Sequence, residues 1–578
     1  MVQKTLTITF LLIGTILYSQ NFLTSNESVF EALTVSNSDV GDYDNDGDLD
    51  IIIMGLNFGT HYTLIYDNDG SGNFSLSPII FNDNYRNGQV EFIDYDNDND
   101  LDIFISGLVQ SGDYKSRLYQ NNANVFTEIP FAFGDNLSNN QFAWGDLDMD
   151  GDLDLLLMGP SSAYLYRNES NNSFISISND FSSGSQGRIL IGDLDNDGDS
   201  DILAAGLSSS GLNIYKNNNN FNFSLELSLE NLINGDMELR DCDGNGLIDI
   251  MKNGDIGNSS NSNSSRIYFN NGDFSFSENT AIVFPSVGSQ SNFVSADYTG
   301  NGELDFLISG RLQPYTELLF STSIFENSGN LSLFENTTTG IFNYSFNDIE
   351  IGDFDNDNDV DVFVIKSDLS NIYTNQSMIQ NTAPSSPLNL NTTVMNSDVV
   401  LNWSAATDNE SPTEQLTYNL YVGTAIGTTD IMSPMSDLNS GYRKVVGIGN
   451  SQYKNQAVLK NLPNGTYYWA VQSIDNQYQG STFSTEQTFT INNLNTDEFE
   501  TNLSVQYYPN PVKTYLTISS THFIERVTIN TVLGEILNTS SSGNLKDFEI
   551  DLTNYNTGIY FINLQSGYGA KMIKIMKE

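Results

Sequence analysis

The stretch DYDNDGDLDIIIMG, residues 42–55, decides the fold. Its first nine residues place Asp at alternate positions and turn at Gly47; Ile51 to Met54 then form a short apolar run closed by Gly55. Such a run between turn residues reads as a buried β-strand. The nine-residue pattern returns as DYDNDNDLD from Asp94, DLDMDGDLD from Asp146, DLDNDGDSD from Asp193, DCDGNGLID from Asp241, DYTGNGELD from Asp297 and DFDNDNDVD from Asp353. Seven copies at a spacing of roughly fifty residues indicate an array of similar supersecondary units.

Each slot has a chemical reason. The first, third, fifth and ninth residues carry oxygen donors, and the seventh varies as expected if its backbone carbonyl is the ligand. The candidate ligands are Asp42, Asp44, Asp46, Asp48 and Asp50 in loop 1, and Asp94, Asp96, Asp98, Asp100 and Asp102 in loop 2. Loop 3 offers Asp146, Asp148, Asp150, Asp152 and Asp154; loop 4 offers Asp193, Asp195, Asp197, Asp199 and Asp201. Loop 5 has Asp241, Asp243, Asn245, Leu247 and Asp249, loop 6 Asp297, Thr299, Asn301, Glu303 and Asp305, and loop 7 Asp353, Asp355, Asp357, Asp359 and Asp361. Hard oxygen donors in this number suit calcium, up to seven ions, better than magnesium, which keeps its waters. The sixth slot is only Gly or Asn, the types that best tolerate a left-handed turn. Loops 5 and 6, with fewer carboxylates, are expected to bind most weakly. An EF-hand would need a Glu in the twelfth slot and flanking helices; the twelfth residue of loop 1 is Ile53 and strands follow.

Composition agrees. The 578 residues, enough for roughly three to five domains, carry 73 Asp+Glu against 22 Lys+Arg, a net charge of −51, yet 39% are hydrophobic. That share is too high for an acidic disordered chain, and the charge repels nucleic acid and anionic membranes. One cysteine, Cys242, and two histidines, His61 and His522, exclude a disulfide framework and leave little for zinc. Lys4 and the apolar run from Leu6 to Leu17 read as a secretory signal peptide over 1–19, too short for a membrane span.

Each unit supplies two further strand candidates, such as TLIYDN with FSLSPIIF. Four strands per unit are the signature of a propeller blade. With their loops, the units over 20–380 resemble the FG-GAP or VCBS repeats of integrin-α-type propellers, in which the calcium loop joins the first two strands of a blade. The fold expected is all-β: a seven-bladed β-propeller, then a fibronectin type III-like sandwich and a small C-terminal β-sandwich. Blade seven lacks a last strand, and VFEALTV from Val29 is expected to supply it, closing the ring.

Beyond the linker TAPSSP, residues 384–493 resemble a fibronectin type III module, with Trp403 as a core aromatic and Leu462, Gly465 and Tyr467 matching the family's tyrosine corner; this module is expected to be a spacer. Residues 503–578, with Pro509, Asn510 and Pro511 before a strand and Gly534 in a turn, resemble the C-terminal sorting domain of type IX secretion cargo. That resemblance implies export through the type IX machinery of a Gram-negative bacterium, to the medium or the outer cell surface.

No nucleophile elbow, phosphate loop or HExxH motif occurs, so no catalytic residue is assigned. His61 is expected in an exposed loop, Cys242 and Trp144 in the core. The expected function is adhesion, or binding of an extracellular glycan or protein, with a recognition face opposite the calcium loops near 56–63 and 108–115. Alternatives are a lyase-like polysaccharide-active enzyme with its site in the propeller funnel, or a non-catalytic carbohydrate-binding accessory protein.

Overall fold

The computed structural model describes the chain apart from residues 1–21, 25–28, 139, 161, 170–171, 182–187, 208–210, 257–262, 289–290, 313–318, 338, 345, 367–368, 378, 493–503, 533 and 567–568. The leader expected over 1–19 lies outside the described residues. Among them the only helical element is a single 3-10 turn, Thr413–Gln415, and no helix is long and apolar enough to cross a membrane. The chain divides into two compact units, 1–492 and 493–578.

In the first unit, seven four-stranded antiparallel sheets follow one another along the chain. Sheet 1 is typical: Thr34–Gly41, the loop from Asp42, Asp50–Asn57, Thr60–Asp67 and Ser75–Leu76. The second strands, such as Asp50–Asn57, Asp102–Val109 and Asp361–Lys366, are buried along most of their length. They read as unbroken apolar runs because both of their faces are covered. Ile51 and Ile53 pack with Phe363 and Ile365 of sheet 7, while Ile52 and Met54 pack with Ile103 and Ile105 of sheet 2. Similar clusters lie between every other successive pair of sheets. The first strands also touch their neighbours in a closed cycle, with Asp348–Gly352 of sheet 7 against Thr34–Gly41 of sheet 1. Burying each such side chain stabilises by about 1.5–3 kcal/mol, so each sheet draws much of its stability from its two neighbours.

The closing strand differs from the one expected. Phe22–Thr24, not the segment from Val29, pairs with Leu369–Asn375 to complete sheet 7. The Phe22 amide donates to the Thr339 carbonyl at 2.7 Å, and its ring meets Tyr298 edge-on. Phe30 and Leu33 of the expected strand instead fill the cluster between sheets 7 and 1, so their apolar character serves packing rather than pairing.

Residues 388–491 form two three-stranded sheets, one of Leu388–Met395, Asp398–Ser404 and Gln456–Leu459, the other of Thr417–Gly423, Gly465–Ile474 and Gln487–Ile491. Trp403, Tyr418, Tyr467 and Trp469 share their core, and the Tyr467 hydroxyl donates to the Pro463 carbonyl at 2.8 Å. This region packs on the loop ends of the seven sheets.

The second unit is a five-stranded sheet of Val505–Tyr508, Tyr515–Thr531, Ile536–Asp551, Gly558–Ser566 and Gly569–Lys577. Leu516, Ile518, Ile529, Ile562 and Ile575 lie in its core.

Candidate metal centres and the central cavity

Each of the seven acidic loops joins the first strand of its sheet to the second, and all fold alike. The sixth-slot residue has a left-handed backbone in every loop, from Asn358 at φ 67 to Gly198 at φ 106. In Gly302 a side chain is excluded twice, because a Cβ would also stand 1.7 Å from the Glu410 carbonyl. The fourth slot is left-handed too (Asn45, Asn97, Met149, Asn196, Gly244, Gly300, Asn356). Its run of Asn and Gly was the signal for this second turn, which the sequence reading did not use.

The first-slot carboxylate organises the loop. Its Oδ2 accepts the sixth-slot amide in all seven, at 2.7–3.2 Å. The ninth-slot carboxylate ties the loop to its own sheet: its Oδ1 accepts the amide of Asn68, Asn121, Asn168, Asn217, Asn270, Asn327 or Asn375 at 2.6–2.9 Å. These asparagines end the third strands or, as Asn68 does, directly follow them, and sequence reasoning missed them. In six, the side-chain amide also donates to the second-slot carbonyl of the preceding sheet's loop, at 2.7–3.0 Å. A recurring Tyr/Phe-X-Asn triplet, Tyr66 to Asn68 in the first unit and Tyr373 to Asn375 in the last, was the available signal.

The remaining carboxylates converge. Oxygens of Asp42, Asp44 and Asp50 lie within 4.8 Å of one another, as do those of Asp94, Asp96 and Asp102, of Asp146, Asp148 and Asp154, and of Asp241, Asp243 and Asp249. Two oxygens on one calcium ion lie at most about 5 Å apart, so each trio fits a single ion. Asp48 Oδ1, Asp50 Oδ2, Asp94 Oδ1, Asp96 Oδ1, Asp148 Oδ1 and Asp355 Oδ1 are shut off from solvent and accept no hydrogen bond. A buried carboxylate oxygen in that state is costly unless a proton or cation meets it. Burial, and then the neighbouring acids, push Asp48 up to about 7; burial also pushes Asp50 up to about 9 and Asp94 to about 8.

Residues of the 388–491 region and its preceding linker hydrogen-bond all seven loops. The Asp42 amide donates to the Lys444 carbonyl, that of Asp193 to Gln452 Oε1, that of Asp241 to the Tyr453 hydroxyl and that of Asp297 to the Asn476 carbonyl. Loops 2, 3 and 7 are met at Asn97 by Ser433, at Met149 by Lys460 and at Asn358 by Gln479. The first-strand ends, which no neighbouring strand pairs, thus find partners.

Between the first strands lies a cavity of about 590 Å³, with Met432, Arg443 and Val446 at its loop end. Asp39, Glu91, Asp236, Glu238, Asp348, Glu350 and Arg188 line it. Much of this polarity has a structural cause. The inner edges of the first strands of sheets 1, 2, 3 and 6 lack a strand partner, and side chains from the preceding sheet satisfy them. Asn37 accepts the Val90 amide (2.7 Å), Gln89 that of Phe142 (3.0 Å), Asp236 that of Phe293 (3.1 Å), Glu238 that of Ser295 (2.8 Å) and Asp348 that of Ser38 (2.8 Å), which closes the circle. Burial and then the Asp39 charge push Glu91 up to about 8, and burial pushes Glu238 up to about 7. Arg188 is held at 3.0 Å by Asp236, whose charge raises it further.

His61 is not an exposed loop residue. It is buried on Thr60–Asp67, where the Arg86 guanidinium donates to its Nε2 at 3.0 Å; burial and then Arg86 lower its pKa. Cys242 is buried among Met251, Phe293 and Phe306, and burial pushes its thiol well up. Trp144 packs edge-on against Phe104 at 5.4 Å and also borders the cavity.

Residues 34–105, 146–204 and 241–308 match the FG-GAP-like repeat, spans that contain six of the seven loops, and residues 506–578 match the secretion system C-terminal sorting domain. The type IX sorting tail indicates a secreted or cell-surface protein of the Bacteroidetes. No curated protein matches the chain. Among solved structures, an Agrocybe aegerita lectin specific for non-reducing terminal N-acetylglucosamine is 19% identical, covering 58% of this chain and 87% of its own (TM-score 0.40). Two extracellular domains of hybrid two-component systems from B. thetaiotaomicron are each 11% identical with TM-score 0.36. One covers 97% of this chain and 99% of its own; the other covers 82% of this chain, which spans only 57% of it.

Proposed function

We propose that the first unit is a calcium-loaded, seven-bladed propeller of FG-GAP type that binds an extracellular glycan or protein, and that the sorting tail delivers it through type IX secretion. A fibronectin type III-like module, residues 384–493, covers its loop face. The observation that carries the metal assignment is the repeated cage itself: carboxylate oxygens converge in loops of one geometry, and in loops 1, 2 and 3 some of them are occluded without a hydrogen bond. Calcium supplies a counter-charge and takes oxygen ligands in this number. With the loop face covered, a large ligand reaches the ring at its other end, where the hairpins near 56–63 and 108–115 lie; Phe58 is fully exposed there. The test is a binding screen of the exported protein against extracellular polysaccharides and matrix proteins, with the Phe58→Ala variant beside it. Undiminished binding by a chain whose hairpin tips are altered would remove this face.

The cavity supports a second reading, a polysaccharide-active enzyme, because Arg188 and several carboxylates converge in it. Product release from a polysaccharide that Arg188→Ala abolishes, without loss of folding, would decide for the enzyme.

A further inference from the structure

Loop 4 has ammonium groups in direct contact with its carboxylates, whereas the charge of Arg167, the middle residue of the triplet in sheet 3, acts on Asp148 and Asp150 through space. Lys216, the middle residue of the triplet Tyr215 to Asn217, places its ammonium on both Asp195 Oδ2 and Asp197 Oδ2, the latter at 2.9 Å. A second ammonium, that of Lys454, sits on Asp193 Oδ2. Lys454 comes from the region that covers the loop face. Its neighbours fix it there, since Gln452 accepts the Asp193 amide and Tyr453 accepts that of Asp241.

The first, third and fifth slots of loop 4 therefore face two positive charges, the formal charge of one calcium ion. The convergence of the loop changes with them. Its close trio is Asp193, Asp195 and Asp197, whereas loops 1, 2, 3 and 5 bring together slots one, three and nine. The triplet's middle position reaches the third slot elsewhere as well: Gln120 Nε2 donates to Asp96 Oδ2 at 2.5 Å in loop 2. That position thus brings a neutral amide to the cage of loop 2 and a positive charge to that of loop 4.

We propose that Lys216 and Lys454 neutralise loop 4 in place of a divalent ion, so that this loop keeps its fold without calcium and binds it far more weakly than loops 1 and 2. The proposal rests on the calcium reading of the other loops.

The test is to count calcium ions bound per chain by equilibrium dialysis of the exported full chain, at a concentration that just saturates the wild type. Asp44→Asn, in loop 1, is expected to lower the count by one, whereas Asp195→Asn leaves it unchanged. The pair Lys216→Met with Lys454→Met is expected to raise the count by one, or to tighten one site at least tenfold. If that pair does not fold, Asp195→Asn decides alone. Loss of one ion in Asp195→Asn, as in Asp44→Asn, would overturn the proposal. If neither the wild type nor the lysine pair binds any ion, the calcium reading itself falls and this proposal with it. A single ion gained by the lysine pair over an ion-free wild type would support the lysine role while removing calcium from the other loops.

Discussion

The side-chain amide of Asn68 donates to the backbone carbonyl of Phe354, 286 residues further along the chain, at 2.9 Å. That bond joins sheet 1 to the loop of sheet 7, and equivalents join every other neighbouring pair except sheets 5 and 6. Asn68 Nδ2 also meets the Leu49 carbonyl at 3.1 Å, and its Oδ1 accepts the Asp69 amide. Asn68→Ala leaves these buried groups unpaired, and a loss of about 2–3 kcal/mol is expected. Asn327 makes no such reach across, its Nδ2 having no partner, so Asn327→Ala is expected to cost about 1 kcal/mol. Urea unfolding at fixed calcium measures both, and equal losses would contradict the role given to the cross-sheet bond.

The loop face and the region covering it are expected to unfold together. Tyr478 is buried in the cluster of sheets 6 and 7, its hydroxyl donates to the Ser295 carbonyl at 2.8 Å, and Arg240 lies 4.9 Å over its ring. Tyr478→Ala removes an aromatic anchor and exposes a buried guanidinium, for a loss of about 3–5 kcal/mol. Calorimetry of the wild type should show one transition for the first unit, displaced downward or split in the variant. Two well-separated transitions in the wild type would mean that the covering region is not cooperative with the sheets.

What the sequence disclosed follows how local each cause is. The sixth-slot Gly or Asn sets a left-handed turn within its own nine residues, so the shape of the loops could be read directly, as could the second strands, whose two covered faces demand unbroken apolar runs. The asparagine of Tyr/Phe-X-Asn was visible as a pattern, but its purpose was not, because its partner belongs to another sheet. Phe22–Thr24 is too short to show any periodicity, and the more apolar segment from Val29 drew the assignment that packing overrules. The contacts of the 388–491 region use backbone groups and scattered polar side chains such as Gln452 and Gln479. Nothing in their spacing announces a docking surface. His61 was misplaced for a related reason: its cover comes from Arg86 and Gln110 of the next sheet.

The cavity carboxylates give the stability a pH dependence of predictable sign. Glu91 is pushed up to about 8 in the folded protein, above its unfolded value of about 4.3. The folded state therefore holds its proton more tightly, and stability present at low pH is lost as pH rises from about 4.3 to about 8. Glu91→Gln removes the ionisation while keeping the shape. It should match the wild type at pH 4.5 and exceed it at pH 8 by about 1–2 kcal/mol, allowing for water in the cavity. Thermal melts of both proteins across this range provide the check; a variant less stable at pH 8 would refute the assignment.

Removing calcium should lower the melting temperature, and the pattern of the loss distinguishes ligation from screening. An ion that binds only the folded chain contributes about 2.7 kcal/mol per site at a hundredfold excess over its Kd, so several filled loops would dominate the stability of the first unit. Sodium chloride at matched ionic strength weakens repulsion between exposed carboxylates over about 8 Å, but it cannot satisfy occluded oxygens such as Asp48 Oδ1 and Asp94 Oδ1. Magnesium, which sheds its waters reluctantly, should restore less than calcium does. The expected order of melting temperatures is therefore calcium, magnesium, sodium chloride, chelator alone. If sodium chloride restores the calcium value, the loops are acidic turns relieved by screening; if calcium alone does so, they are ligand cages.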